Sequence, residues 1–144
     1  MMKSKLISSN GAKTYAVIFE TGEEAVSGLA QFAKQNTLGG GRLTAIGGFQ
    51  AVVLGYFELD KKEYKKIPLE EQVEVLSLMG DIALHESEPK LHIHAVVGTS
   101  DGIAHGGHLI EAHVRPTLEV IVTESPKNLH REHDEATGLA LIRL

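Results

Sequence analysis

The hydrophobic pattern of the first forty residues predicts a strand followed by a helix. A run of β-branched and aromatic residues over Thr14–Phe19 is typical of a buried strand. From residue 23 to 36 the apolar positions recur with the helical period, and Thr21 with Glu24 three positions later fits a capping box at the helix start. Because glycine tolerates the left-handed backbone that ends many helices, we expect residues 38–41 to end this one.

After Arg42 the pattern changes to short strands separated by turn residues. Strands are expected over residues 42–49, 50–59, 64–69, 72–79, 91–98, 103–114 and 117–123. In the tail, the polar segment 128–134 suggests a short helical turn, and residues 139–144 suggest a final strand. The predicted fold class is therefore α+β, a mostly antiparallel β-sheet with one principal α-helix.

Length and composition narrow the class of protein. A chain of 144 residues suits a single domain with its own core, for which we expect a core of about 12–125 and a C-terminal extension over 126–144. The chain has no cysteine, so any transition-metal site must use His, Asp or Glu. No apolar run is long enough to span a bilayer and no signal peptide is evident, so we expect a cytoplasmic protein without membrane contact.

The charge balance bears on nucleic acid as a partner. The formal net charge is −5, with 14 basic and 19 acidic residues. Phosphate binding needs clustered Lys and Arg, and the one lysine-rich run, over 61–66, is interrupted by Glu63 and Tyr64. This run is better interpreted as a solvated turn, and the balance opposes a basic DNA-binding face.

Histidine provides the strongest functional signal. Among eight histidines, His92 and His94 flank one residue of a predicted strand and must project from the same face. If the chain returns as a hairpin through Ser100-Asp101-Gly102, His108 comes back beside them. Three imidazole nitrogens with one open position form a site that suits zinc.

Strand register decides whether this site can form. A two-residue turn at Asp101-Gly102 places Leu109 opposite His94 and turns His108 to the other face of the sheet. A three-histidine site then requires a bulge at Gly106-Gly107, a longer turn or a ligand from a neighbouring subunit. The alternative is that His92 and His94 merely line the polar face of a half-exposed strand.

Other residues are candidates of a second rank. His105 and His113 are alternative ligands, and Glu111 is a candidate to accept a proton from a ligating imidazole. Arg42, next to three glycines, is a weak candidate for anion binding. A metal-bound water would supply a nucleophile for hydrolysis of a small substrate, and the candidate bases for that chemistry are Glu111, Glu119 and Asp81.

Three segments together resemble the PPC domain, the plants-and-prokaryotes conserved domain. They are residues 45–49, residues 73–80, and the stretch from His92 through Gly106-Gly107-His108 to Val120, and the resemblance runs from about Thr14 to Glu124. It implies a compact α+β fold, a homotrimer, and a bound divalent metal, expected to be zinc, at His92, His94 and His108. The family is associated with DNA binding, but the basic AT-hook of its plant members is absent here. A binding or regulatory role is thus expected, with a metal-dependent enzyme as the alternative.

Overall fold

The computed structural model describes residues 1–144 and confirms the predicted α+β fold, with nine strands and one helix. The elements, in chain order, are β1 (Lys3–Ser8), β2 (Thr14–Glu20), α1 (Ala25–Gln35), β3 (Gly40–Glu58), β4 (Glu63–Leu69), β5 (Val73–His85), β6 (Glu88–Gly98), β7 (Ala104–Glu124), β8 (His130–Asp134) and β9 (Leu139–Arg143). Strand β1, which the hydrophobic pattern does not predict, is exposed along its whole length. The structure contains no helix with the length and hydrophobicity that a membrane span requires.

The two longest strands, β3 and β7, organise the sheet. The strand order is β1-β2-β7-β3-β5-β8-β9, with β4 added to β3, while β6 pairs with both β5 and β7. Strands β3, β5, β6 and β7 therefore pair in a closed circuit, which brings the two ends of this part of the sheet together. All pairings are antiparallel except a single bridge between β5 and β8.

The sheet has one buried face and one open face. Along β3, Leu43 and Ala45 are buried, whereas Thr44 and Ile46 between them are exposed. The buried face and α1 enclose a single core of 26 residues, in which the Phe32 ring meets Tyr15 edge-on at a centroid distance of 5.2 Å. The opposite face, called the outer face below, carries the candidate site.

The helix begins differently from the prediction. Glu24, and not Thr21, is the N-cap: its carboxylate accepts hydrogen bonds from the amides of Val26 at 3.1 Å and Ser27 at 2.7 Å. The Thr21 hydroxyl instead donates to a carbonyl of β7, that of Pro116. Glu24 also accepts a hydrogen bond from the Ala112 amide at 2.9 Å, so one carboxylate caps α1 and fastens it to β7.

We expect Glu24→Gln to destabilise the protein in a pH-dependent manner. Burial acts to raise the pKa of Glu24, but hydrogen bonds from Ser27, Ala112 and Val26 outweigh it and lower that pKa. The carboxylate therefore stabilises the fold above its unfolded pKa of about 4.3, and this contribution disappears as the pH falls through the lower folded value. Urea unfolding should show a loss of about 1 kcal/mol near pH 7 that shrinks in acid.

The matched control for this substitution is Glu132→Gln, at an exposed position of β8. It should leave the free energy of unfolding unchanged both near pH 7 and in acid. A difference between wild type and Glu24→Gln that is as large in acid as at neutral pH would contradict the role of the ionised cap.

The end of α1 also differs from the prediction. Thr37, and not a glycine, adopts the left-handed conformation, with φ of 54°. The Leu38 amide then donates to the Ala33 carbonyl at 3.0 Å, closing the last turn. Gly40 and Gly41 already belong to β3, where a Cβ on Gly41 would lie 2.7 Å from the Thr123 carbonyl oxygen. These glycines therefore permit close strand packing, and they do not form the predicted left-handed stop.

Two predicted strand breaks are absent. The strands expected over 42–49 and 50–59 form the single strand β3, and those expected over 103–114 and 117–123 form β7. Register shifts replace the breaks, since β3 changes register against β7 on either side of Phe49. At Gly47 a Cβ would lie 2.2 Å from the Thr117 carbonyl oxygen, so glycine marks a close approach of two strands here.

The tail forms a hairpin. The helical turn expected over 128–134 is wrong, because His130–Asp134 is strand β8, paired along its length with β9. The final strand is confirmed. Gly138 has φ of 76° and its amide donates to the Asp134 carbonyl at 2.7 Å, which closes the turn. The tail is therefore part of the sheet, and we call β8 and β9 the C-terminal hairpin.

Candidate metal centre

The loop between β6 and β7 sets the position of the third histidine. The Gly102 amide donates to the Thr99 carbonyl at 2.8 Å, and the Thr99 amide donates to the Ile103 carbonyl at 3.0 Å. The loop thus contains three residues, with Gly102 left-handed at φ of 80°. This is a type I turn followed by a bulge residue, a common hairpin connection.

The extra loop residue changes which side chains face each other. A two-residue turn does not form, and His94 lies opposite His108 instead of Leu109. Paired residues of adjacent strands project to the same face, so His108 joins His92 and His94 on the outer face. Of the routes that reconcile the register with a three-histidine site, the longer turn is the one that occurs.

The three side chains converge closely. The Nε2 atoms of His92 and His94 lie 3.1 Å apart, and potential ligand atoms of all three histidines fall within 4.8 Å of one another. Tetrahedral coordination with zinc–nitrogen bonds of about 2.0–2.1 Å places neighbouring nitrogens about 3.3 Å apart. The rings therefore need only small rotations to surround one ion, and we call these residues the histidine triad.

The surroundings of the triad favour the neutral imidazoles that bind a metal cation. Burial lowers the pKa of His108 to about 4, assisted by the charges that His92 and His94 would carry. Burial also lowers the pKa of His92, with His94 as the next contribution. A metal binds the neutral imidazole, which is the form these shifts favour. In addition, His108 Nδ1 is buried without a hydrogen-bond partner, so this ring has an unsatisfied nitrogen.

Neighbouring side chains hold the triad in place. The Tyr64 ring stacks on His108 with a centroid distance of 4.5 Å and an interplanar angle of 23°. Gly55 makes this stacking possible, because a Cβ there would lie 2.9 Å from Tyr64 Cδ1. Gly107 plays a similar part, since a Cβ on it would lie 2.6 Å from the Gly55 carbonyl oxygen. Two glycines therefore let β3, β4 and β7 close around the third histidine.

An ion pair between the buried Arg131 and the partly exposed Asp81 borders the triad on its other side. The Arg131 guanidinium donates to the Asp81 carboxylate, and Asp81 lies opposite His92 in the pairing of β5 with β6. The Arg131 side chain is only 5% exposed and also donates to the Ala140 carbonyl at 3.0 Å. It thus ties the C-terminal hairpin to the strands of the site. Sequence reasoning missed Arg131, because nothing local distinguishes it from other arginines of a polar tail.

The remaining candidates are not members of the triad. His113 pairs with Glu111 at 2.7 Å in an exposed position on β7. His105 lies opposite the buried Val97, so it projects to the other face of the β6–β7 hairpin. Arg42 is exposed on β3 opposite Asp81, and it borders a cleft that also reaches His92 and His94. None of these side chains belongs to the convergent group.

Solved structures share this fold over nearly the whole chain. A metal-containing protein from Archaeoglobus fulgidus is 32% identical, with 100% of this chain and 99% of that chain covered and a TM-score of 0.84. A plant- and prokaryote-conserved protein from Pyrococcus horikoshii is 32% identical, with 100% and 95% covered and a TM-score of 0.86. A protein from Bacteroides thetaiotaomicron, described as a candidate DNA-binding protein, is 26% identical, with 97% and 96% covered and a TM-score of 0.90.

The family assignment follows from the sequence match. No match was found among curated proteins. The model of the Plants and Prokaryotes Conserved (PCC) domain matches residues 7–126, which includes the triad and excludes the C-terminal hairpin. The resemblance seen in the histidine and glycine segments is thus confirmed. The chain belongs to the Plants and Prokaryotes Conserved domain family.

Proposed function

We propose that this protein is a homotrimer that binds zinc through His92, His94 and His108 and has a binding or regulatory role. The observation that carries the proposal is the convergence of three imidazoles, two of them with lowered pKa values, on adjacent strands. A 32% identical relative that covers the whole chain is described as metal-containing. Imidazole donors with no thiolate or carboxylate among them suit zinc better than calcium or magnesium, which prefer oxygen.

Titration of chelator-treated protein with zinc tests this proposal. We expect saturable binding of about one zinc ion per chain, measured by calorimetry and checked by elemental analysis. Magnesium and calcium provide the control and should show no comparable binding, because the site offers no oxygen ligands. An absence of saturable zinc binding would exclude the metal function.

The outer face supports self-association. Four exposed apolar side chains border one groove on this face: Ile46, Leu76, Met79 and Ile121. Ile46 is 60% exposed and Met79 is 58% exposed, although both occupy strands of the central sheet. Monomeric proteins rarely expose such an apolar patch to water, so we expect a second copy of the chain to pack against it. Met79 lies opposite His94, which places this apolar patch next to the triad.

The charges do not support DNA as the partner. Several basic side chains are paired with acidic ones: Lys3 with Glu20, Lys34 with Glu88, Lys61 with Glu58, Arg131 with Asp81, and Arg143 with Asp134. The net charge of −5 adds a repulsion toward phosphates. We therefore favour a small-molecule or protein ligand over nucleic acid.

The positions of the carboxylates favour binding over catalysis. Water activation at the metal needs a base within reach of the site. Glu111 is engaged by His113, Asp81 is engaged by Arg131, and Glu119 lies at the groove on the outer face. Neither these nor other carboxylates line the cavity into which the triad opens. Among the candidate bases, Asp81 borders the second cleft together with His92 and His94, but its pairing with Arg131 disfavours it as the base of the enzymatic alternative.

A further inference from the structure

A cavity separates the histidine triad from the C-terminal hairpin. Its volume is about 570 Å³, which falls within the range of small-molecule sites. The triad forms its floor, and the hairpin contributes Arg131 and residues 139–141 to one side. Because the PCC domain match ends at residue 126, this side of the cavity comes from the segment that follows the matched domain.

The charge of the lining selects an anion. None of the 14 lining residues is acidic, although the chain has 19 acidic residues and only 14 basic ones. The charged lining residues are Lys90, which is exposed and not ion-paired, and Arg131, which is paired with Asp81. A divalent cation held by three neutral imidazoles would retain its double charge, so its further ligand gains most by being anionic.

The walls of the cavity select an apolar body for that ligand. Aromatic residues Tyr56, Phe57 and Tyr64 line one side, and Leu91, Leu139 and Leu141 are aliphatic lining residues. A ligand that covered these side chains would gain roughly 25 cal/mol for each Å² of apolar surface removed from water. Inorganic phosphate would leave these apolar side chains uncovered. It also needs more hydrogen-bond donors than Lys90 and a metal together supply.

We infer that this cavity binds a small carboxylic acid with an apolar or aromatic body. Its carboxylate group coordinates the metal, while its body packs between the aromatic and the aliphatic lining residues. This inference rests on the proposed metal site. Arg131 is a positioning residue in this arrangement, since its bonds to Asp81 and to the Ala140 carbonyl hold the hairpin against the strands.

Benzoate is a suitable probe, because it combines a carboxylate with a compact aromatic body. We expect calorimetry to show saturable benzoate binding to zinc-loaded protein, and none by benzamide, which has the same shape without the charge. Cobalt(II)-loaded protein should change its visible absorption when benzoate is added, because the carboxylate enters the coordination sphere. Inorganic phosphate should bind at least about tenfold more weakly than benzoate, because it leaves the apolar walls bare.

A cavity-filling variant separates this site from the rest of the surface. Ala140→Trp places an indole in the cavity and should weaken benzoate binding at least about tenfold while zinc content stays at the wild-type level. Ala136→Trp, at an exposed position in the turn of the same hairpin, is the matched control and should bind benzoate normally. Zinc content measured first distinguishes the two hypotheses: protein without zinc refutes the metal site. Zinc-loaded protein that ignores benzoate, or binds it equally well in Ala140→Trp, refutes the carboxylate site alone.

Discussion

Replacement of His94 by alanine is expected to abolish stoichiometric zinc binding without unfolding the protein. The substitution leaves two ligand nitrogens in the triad, and two imidazoles compete with water for the ion less well than three do. Since losing even an outer-shell partner costs about 10–100-fold in metal affinity, the loss of a direct ligand should cost at least about 100-fold. His94 is exposed, so its truncation creates no cavity in the core. Zinc titration and urea unfolding of the metal-free protein measure the two effects separately.

His105→Ala is the matched control for this prediction. His105 lies on β7, three residues before His108, and it projects to the opposite face of the hairpin. The variant should retain wild-type zinc content, because the substitution removes an imidazole of the same strand without touching the triad. If His94→Ala binds as much zinc as wild type, the triad is not the site, and a loss in His105→Ala would point to a different ligand set.

Ile46→Lys is expected to convert the proposed trimer into monomers. Ile46 is an exposed lining residue of the apolar groove, where a partner subunit would take its side chain out of water. Burial of the ammonium in the interface costs desolvation free energy that one neighbouring carboxylate does not fully offset, and a symmetric trimer meets this cost three times. The monomer should tolerate the lysine, since Ile46 lies opposite Glu119 on β7 and the new charge has a carboxylate neighbour. Analytical ultracentrifugation over a range of protein concentrations measures the mass.

Leu59→Lys is the matched control for the assembly. Leu59 is as exposed as Ile46, at 57% against 60%, but it lies in the turn after β3 and outside the groove. This variant should retain the mass of the wild type. A wild-type protein that sediments as a monomer would refute the trimer, and an unchanged mass in Ile46→Lys would move the interface to another face.

The position of Met79 connects the proposed metal site with the proposed assembly. This residue borders the apolar groove, and it lies opposite His94 in the pairing of β5 with β6. A subunit that covered Met79 would therefore shield the cleft bordered by His92 and His94. If this is the arrangement, Ile46→Lys should retain zinc but bind it less tightly, since the dissociated chain exposes its site to water.

The local sequence predicts the orientation of two of the three histidines in the triad. The alternation of a strand requires that His92 and His94 share a face, whatever the rest of the chain does, and the structure agrees. The face of His108 depends on one residue of loop length, because each added residue reverses the side to which the returning strand points. Asp-Gly suits a two-residue turn, yet Gly102 serves as the bulge residue of a three-residue loop. Both loops fit the same local residues, so sequence alone left the triad undecided.

The sequence by itself determined the fold class, the helix, most of the strands and the pair of histidines, because each depends on a periodicity that a few adjacent residues carry. Only the tertiary structure decided the face of His108, the cap at Glu24 and the place of the C-terminal hairpin beside the triad. The last two of these features depend on contacts between residues far apart in the chain, such as Glu24 with Ala112 and Arg131 with Asp81. The free energy of such contacts comes from packing and hydrogen bonds that exist only after the sheet has closed, so no local pattern records them.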